Sequence, residues 1–184
     1  MNLKLVEPTP FGPVAVMWSE LDGSPKIFRI LLTRPKLLAE RIAMDLYPTA
    51  RSSSCAEIDA VASRIKAFLA GEAIAFPLDI IALSSRPPFQ QAVLRAEHAI
   101  PRGRVSAYGL IAAHLGKPMA GRAVGNALAT NPFPIIVPCH RAVRSNGELG
   151  GFQGGPAMKR ALLEQEGIPF DSEGRVAVPR FHYS

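Results

Sequence analysis

The residues best suited to chemistry lie where a proline-framed apolar run, Asn131-Pro132-Phe133-Pro134-Ile135-Ile136-Val137-Pro138, delivers Cys139 directly beside His140 and Arg141. A free thiol has a pKa of about 8.5, so only a small fraction is thiolate at neutral pH, and a neighbouring cation or base raises that fraction. His140 and Arg141 are the groups placed to supply that influence. Adjacent residues do not face each other on a regular helix or strand, so His140 is expected to reach Cys139 through a bend or a bridging water. A carboxylate that accepts the imidazole N–H would fix its tautomer. Glu166, closing the segment Leu162-Leu163-Glu164-Gln165-Glu166-Gly167, is the first candidate for that role, and Glu164 is the alternative. The competing reading of Cys139 is a buried structural cysteine, the commoner fate of a lone Cys in an apolar run. Cys55 has no Cys or His nearby, and His98, His114, His140 and His182 show no ligand spacing, so no metal is expected.

Positioning such a site requires a scaffold, and the chain has material for one. With 184 residues and 48% apolar content it can bury a core as one large or two small domains. Val14 to Trp18 and Ile27 to Leu32, separated by Asp22-Gly23-Ser24-Pro25, read as two paired strands. Lys36 to Tyr47 reads as a helix with Leu38, Ile42 and Leu46 facing inward. A second helix places Ile58, Val61, Ile65, Phe68 and Leu69 on one face and stops at Gly71. A small α/β domain over residues 1–84 is therefore expected, with a boundary near Ser84-Ser85-Arg86-Pro87-Pro88.

Over residues 85–184 the signals turn helical. Phe89, Val93, Ala96 and Ile100 have helical spacing, and Pro101-Arg102-Gly103 ends that helix. Ser106 is placed to cap the next, with Val105 and Leu110 as a hydrophobic staple. Leu110, Ile111, His114 and Leu115 form its inner face, which makes His114 a core histidine, and Gly116 and Pro118 terminate it. From Ala120 to Thr130 a third helix is written in small residues around Arg122. Each glycine inside a helix costs about 1 kcal/mol relative to alanine, so close approach to something outweighs helix stability there. A helix, a short turn and a small-faced helix fit either a helix-turn-helix that lays its second helix on DNA or an ordinary helical hairpin.

Charge separates the same two regions. Residues 1–84 carry nine Lys/Arg against nine Asp/Glu, whereas residues 85–184 carry twelve against six, so the whole excess of +6 is C-terminal. Such an excess fits a polyanion-binding surface as well as a merely solvated basic face. No charged segment followed by a long apolar run opens the chain, and no apolar stretch approaches the roughly 20 residues of a membrane span. A cytoplasmic protein, or a nuclear one in a eukaryote, with reduced thiols and no membrane association is expected.

Several motifs together resemble the O6-alkylguanine-DNA alkyltransferases, also called methylated-DNA-protein-cysteine methyltransferases. They are Phe89-Gln90, Ile100-Pro101-Arg102-Gly103, Ser106 with Tyr108, Arg122-Ala123-Val124-Gly125, Asn131-Pro132, Pro138-Cys139-His140-Arg141, Gly154-Gly155, Lys159, and Leu162-Leu163 through Glu166-Gly167. The match spans roughly Phe89 to Gly167 and is looser over Thr9-Pro10-Phe11-Gly12-Pro13. The resemblance implies a small ribonuclease-H-like α/β domain followed by a mainly helical DNA-binding and alkyl-transfer domain with a helix-turn-helix. It implies that Arg122, Ala123, Gly125 and Ser106 lie against double-stranded DNA, with Arg122 filling the place of a nucleotide rotated out of the stack. Tyr108 would donate a hydrogen bond to the guanine ring nitrogen, and Asn131, Ala142, Gln153 and Lys159 would form the substrate-binding set. Cys139, assisted by His140 and Glu166, would take the alkyl group irreversibly from O6-alkylguanine, and from O4-alkylthymine as an extension. No cofactor is implied, and a monomer suffices. Leu94, Ala142 and Gln153 stand where the family more often has tryptophan, valine and serine, which bears on pocket shape.

Two other classes fit parts of this pattern. A lesion-binding protein that extrudes bases without accepting the alkyl group would not need Cys139. A cysteine hydrolase built on Cys139 and His140 would need an oxyanion hole, whereas displacement at a saturated carbon needs none.

Overall fold

The Asp22-Gly23 pair sits in the left-handed region at φ 51° and 74°, the geometry of a two-residue hairpin turn whose twist matches that of the strands it joins. Those strands are β2 (Val14–Leu21) and β3 (Ser24–Leu32). The computed structural model describes residues 1–184, and its contacts divide into two compact units. One is Met1–Ser85 with Pro132–Ile136, the other Arg86–Asn131 with Val137–Ser184. The fold is mixed α/β, and no helix is long and apolar enough to cross a membrane.

In the first unit the hairpin belongs to a four-stranded sheet of order β3-β2-β1-β4, where β1 is Asn2–Val6 and β4 is Arg51–Ser52. β1 pairs antiparallel with β2 and parallel with β4. Two strands were expected, so β1 and β4 are additions. β1 is short and carries Asn2 and Lys4 among its apolar residues, and β4 is two exposed polar residues with no pattern to read. Ala15 and Met17 of β2 pack with Leu3, Leu31 and the helix α1 (Ala39–Leu46). Val14, Val16 and Trp18 point to the other face by strand alternation and are equally buried, which is why β2 reads as a continuous apolar run.

The inner face of α1 differs from the expected one. Leu38 and Leu46 are about half exposed, and Ala39, Ile42 and Ala43 make the contact instead. Spacing alone favoured the leucines, but close approach to the sheet selected the alanines. The helix α2 (Ala56–Leu69) buries Ile58, Val61, Ile65, Phe68 and Leu69 as its periodicity predicts. Pro132 to Ile136 also belong to this unit, and the Ile30 amide donates to the Pro132 carbonyl at 2.7 Å.

In the second unit α3 (Pro88–His98) starts with proline in its first turn, where a missing N–H costs nothing. α4 (Tyr108–His114) packs on α5 (Gly121–Ala129), and α3 packs on both. Short parallel strands β5 (Ser106–Ala107) and β6 (Ala142–Val143) pair beside them, and α6 (Gly155–Gln165) completes the unit. Ser106 lies in β5 and does not cap α4. Its hydroxyl donates to the His182 carbonyl at 2.7 Å, because the C-terminal segment runs alongside and the His182 amide donates to the Val105 carbonyl. Val105 packs with Val143, Leu163, Ile168 and Val176, with Phe170, Val178 and Phe181 against them. His114 is not a core residue. It is exposed and stacks on Tyr183 with ring centroids 3.9 Å apart.

Candidate active site

Pro138 turns the chain into a single 3-10 turn, Cys139–Arg141, closed by the Arg141 amide on the Pro138 carbonyl at 2.8 Å. This bend lets neighbouring side chains diverge. Cys139 is 6% exposed. Asn131 is equally buried, bonds the thiol through its side chain, and donates from Nδ2 to the Val137 carbonyl at 3.2 Å, tying the two ends of the loop together. Burial pushes the Cys139 thiol up to about 11, with Glu97 adding to the shift and Asn131 and Lys159 opposing it. Cys139 therefore rests as a thiol. Arg141 does not supply the thiolate-favouring charge expected from sequence, because its guanidinium is committed elsewhere.

That commitment builds the support behind the cysteine. Arg141 grips Glu166 with both arms, Nε to Oε2 at 2.9 Å and NH2 to Oε1 at 2.8 Å, while NH1 donates to the Ile100 carbonyl at 2.6 Å. His140, fully buried, places Nε2 3.0 Å from Glu166 Oε1. A carboxylate at the C-terminal end of α6 sits on the unfavourable end of the helix dipole. Burial also opposes its charge, yet the hydrogen bonds from His140 and Arg141 and the Arg141 charge hold Glu166 down at about 2. An ionised Glu166 only accepts, so His140 carries its proton on Nε2 and turns Nδ1 into the basic nitrogen. Burial lowers His140 below its usual 6.5 against the opposite pull of Glu166, which keeps the imidazole neutral. Glu164, the alternative, is exposed and pairs with Arg160 at 2.8 Å.

Tyr108 opens α4 and faces a cleft of about 680 Å³ lined also by Gly109, Gly121, Arg122, Gly125 and Arg144. Burial, with Glu97 and Cys139 adding to it, raises the Tyr108 phenol to about 12, so it is a hydrogen-bond donor at any working pH. Arg122 and Ala123 are exposed on α5. A Cβ on Gly121 would lie 3.5 Å from the Gly109 Cα, which is how α4 and α5 approach, whereas a Cβ on Gly125 would meet nothing within 4 Å. Ala142 is fully buried and turns its carbonyl to Lys159, whose Nζ donates to it at 2.7 Å and to the Gly151 carbonyl at 3.3 Å. Lys159 is itself 0% exposed, so it holds loops together from within. Gln153 is half-buried in the loop before α6, and Ser106 is fully buried, away from any surface.

Three residues of this site were not read from sequence. Gly150, at φ 69°, makes room for the Tyr108 hydroxyl, which would lie 2.5 Å from a Cβ there. The Gly150-Gly151 pair is its sequence signal. Phe152 packs edge-on against His140 at 6.1 Å between centroids. Glu97 is 0% exposed on α3, four residues after Val93, so its place on the buried face was visible, but periodicity counts apolar residues and passes over an acid.

A mixed α/β fold with a buried cysteine turn backed by histidine, glutamate and arginine, beside a small-faced helix, defines a class of protein with a histidine-backed cysteine centre. Residues 88–168 match the family model described as 6-O-methylguanine DNA methyltransferase, DNA binding domain. A methylated-DNA–protein-cysteine methyltransferase of Methanothermobacter thermautotrophicus is 38% identical over 109 residues, 59% of this chain and 61% of that protein. One of Shigella flexneri is 34% identical over 168 residues, 86% of this chain and 92% of that protein. The match to the first thus spans less than two thirds of that relative, and the match to the second nearly all of it. The structure of Mycobacterium tuberculosis OGT in complex with DNA is 31% identical with a TM-score of 0.69, covering 90% of this chain and 92% of that one. The chain belongs to the methylated-DNA–protein-cysteine methyltransferase family.

Proposed function

We propose that this protein repairs DNA by transferring the alkyl group of O6-alkylguanine in a duplex irreversibly to Cys139. The observation that carries this reading is the Cys139 turn, with its thiol held by Asn131 and its adjacent His140 oriented by a Glu166 carboxylate that Arg141 keeps ionised. Sγ attacks the alkyl carbon, the bond from that carbon to O6 breaks, and the electron pair passes to the guanine. His140 Nδ1 receives the thiol proton through a bridging water, and the guanine anion takes up a proton in exchange. Tyr108 donates to the ring as the base leaves. The thioether formed is not cleaved by acid or base groups at neutral pH, so one protein serves one lesion and no cofactor enters the balance.

On this reading α4, the turn after it and α5 form a helix-turn-helix, and α5 is laid on DNA with Arg122 entering the base stack. Gly125 supports it: a glycine that weakens its helix, with no neighbour inside the protein to demand it, leaves room for an external partner. Ser106 and Lys159, both buried, act from behind the binding surface. A sheet of order β3-β2-β1-β4, antiparallel except for β4, supports a ribonuclease-H-like topology for the N-terminal domain, residues 1–84, with DNA binding and transfer assigned to residues 85–184. We place the protein as a monomer in the compartment that holds the DNA.

The test is to incubate the protein with duplex DNA carrying O6-methylguanine and weigh it by mass spectrometry. A stoichiometric gain of one methyl in place of hydrogen, confined to the Cys139 peptide and abolished in Cys139→Ala, is expected. Tight binding with unchanged mass would make the protein a lesion binder instead.

A further inference from the structure

Two polar side chains of α5 line the cleft beside Tyr108, Arg122 and Asn126. They are four residues apart, which sets them on one face of the helix. Gly125, beside Asn126, lines the same cleft with open space where a side chain would be, so the helix backbone is bare there. Asn126 is exposed, and its side-chain amide bonds to no other group of the protein, while its backbone carbonyl accepts from the Thr130 amide and hydroxyl. The other amide in the cleft, Asn146, is committed to its own loop, where its Oδ1 accepts from the Glu148 amide at 3.2 Å. Asparagine is a poor helix former, and directly after a glycine it weakens α5 a second time. Neither the helix nor the protein interior gives Asn126 its reason.

An external partner does, on the proposed function, in which Arg122 enters the base stack. A helix rises about 1.5 Å per residue, so with α5 lying along the minor groove Asn126 stands about 6 Å further on, about two steps of a duplex whose bases are about 3.4 Å apart. The minor-groove edge of an A·T pair offers only acceptors, adenine N3 and thymine O2, whereas guanine sets its N2 amino donor beside an N3 acceptor. A primary amide carries a donor and an acceptor side by side, so it meets guanine with two hydrogen bonds and an A·T pair with one. The bare backbone at Gly125 lets so short a side chain reach the floor of the groove. We propose that Asn126 is a specificity-determining residue that reads the base pair two steps from the lesion and favours guanine there, so that repair depends on sequence context.

The measurement is single-turnover methyl transfer at subsaturating DNA, from O6-methylguanine duplexes in which each neighbouring base pair on either side is varied singly between G·C and A·T in both orientations. A rate about fivefold or more higher with G·C is expected at the second step, on one side of the lesion only. Replacing that guanine by inosine, which lacks only the N2 amino group, should remove the advantage. Asn126→Ala, which folds because alanine strengthens the helix, should bring the two rates within about twofold of each other. A preference that survives in Asn126→Ala, or with inosine, overturns the proposal. Transfer at equal rates from every duplex would also overturn it, and would leave the proposed function standing. Absence of transfer from all of them would sink the proposed function instead, and the affinities of Cys139→Ala for the same duplexes, expected to show the same ratio, would then decide the reading of Asn126.

Discussion

At the scale of single residues, the site depends on groups whose work is to hold others. Gly150 is the clearest. A methyl there would meet the Tyr108 hydroxyl at 2.5 Å, and the φ of 69° disfavours any side chain. Gly150→Ala should slow single-turnover methyl transfer at least tenfold and cost about 1–2 kcal/mol of stability. The same change made in Tyr108→Phe, where the clashing oxygen is gone, should cost much less further rate. A double-mutant cycle showing full additivity would sink this account. Glu166 gives a second prediction with a definite sign. Its carboxyl falls from the ordinary 4.5 to about 2 in the folded protein, so the unfolded chain binds more protons between those values. The stability it contributes is present above 4.5 and lost as pH falls through 2. Glu166→Gln leaves Arg141 and His140 buried without their anion, so it should cost about 3 kcal/mol near neutral pH. It should also flatten the acid limb of a urea-unfolding series over that window. An acid limb identical to wild type would show that Glu166 does not carry it.

At the scale of elements, the two glycines of α5 have different neighbours, and the proposed interface gives the second its reason. Gly121 is explained from within, since its neighbour is the Gly109 backbone of α4, but Gly125 has open space where its side chain would be. Gly125→Ala should therefore stabilise the protein by up to about 1 kcal/mol in thermal unfolding, without internal repacking. Gly125→Leu should fold yet bind duplex DNA at least tenfold more weakly in an anisotropy titration. Unimpaired binding by Gly125→Leu would remove α5 from the interface. Here the sequence was a good guide, because helix ends and small-residue runs are local signals. It was also a good guide for α2, whose apolar stripe is complete, and for the β2–β3 hairpin. Elsewhere the controlling physics was not local. β4 is defined by pairing with β1, not by its own residues, and α1 turned alanines inward because the sheet lies close. Ser106 entered a two-residue strand because β6 pairs with it at Ala142, and its hydroxyl is satisfied by the His182 carbonyl over 70 residues further along the chain. Within the site, Cys139, His140 and Glu166 could be picked out as a group by residue type. Glu97 could not, since a buried acid violates the very pattern used to recognise buried faces.

At the scale of the whole molecule, charge is the property that composition states most directly. The excess of +6 arises wholly within residues 85–184, and Arg122 and Arg144 both line the cleft beside Tyr108. Arg144 is also paired with Glu148 at 2.8 Å in an exposed bridge, a contact of small energetic weight that a phosphate can displace. Each phosphate neutralised on duplex DNA steepens the dependence of log affinity on log salt by about 0.9, because condensed counterions are released. A surface making about three such contacts would lose about fortyfold in affinity between about 50 and 200 mM salt. Unmodified duplex and O6-methylguanine duplex should show the same slope, since the lesion adds base contacts and not phosphates. Arg144→Ala should reduce that slope by about one unit while leaving the ratio of lesion to unmodified affinity unchanged. Arg122→Ala should instead lower that ratio, because on the proposed reading its side chain fills the vacated stack and acts only once a base has left it. A salt slope near zero for the wild-type protein would mean that its positive charge serves solubility alone, and would detach the basic half of the chain from DNA.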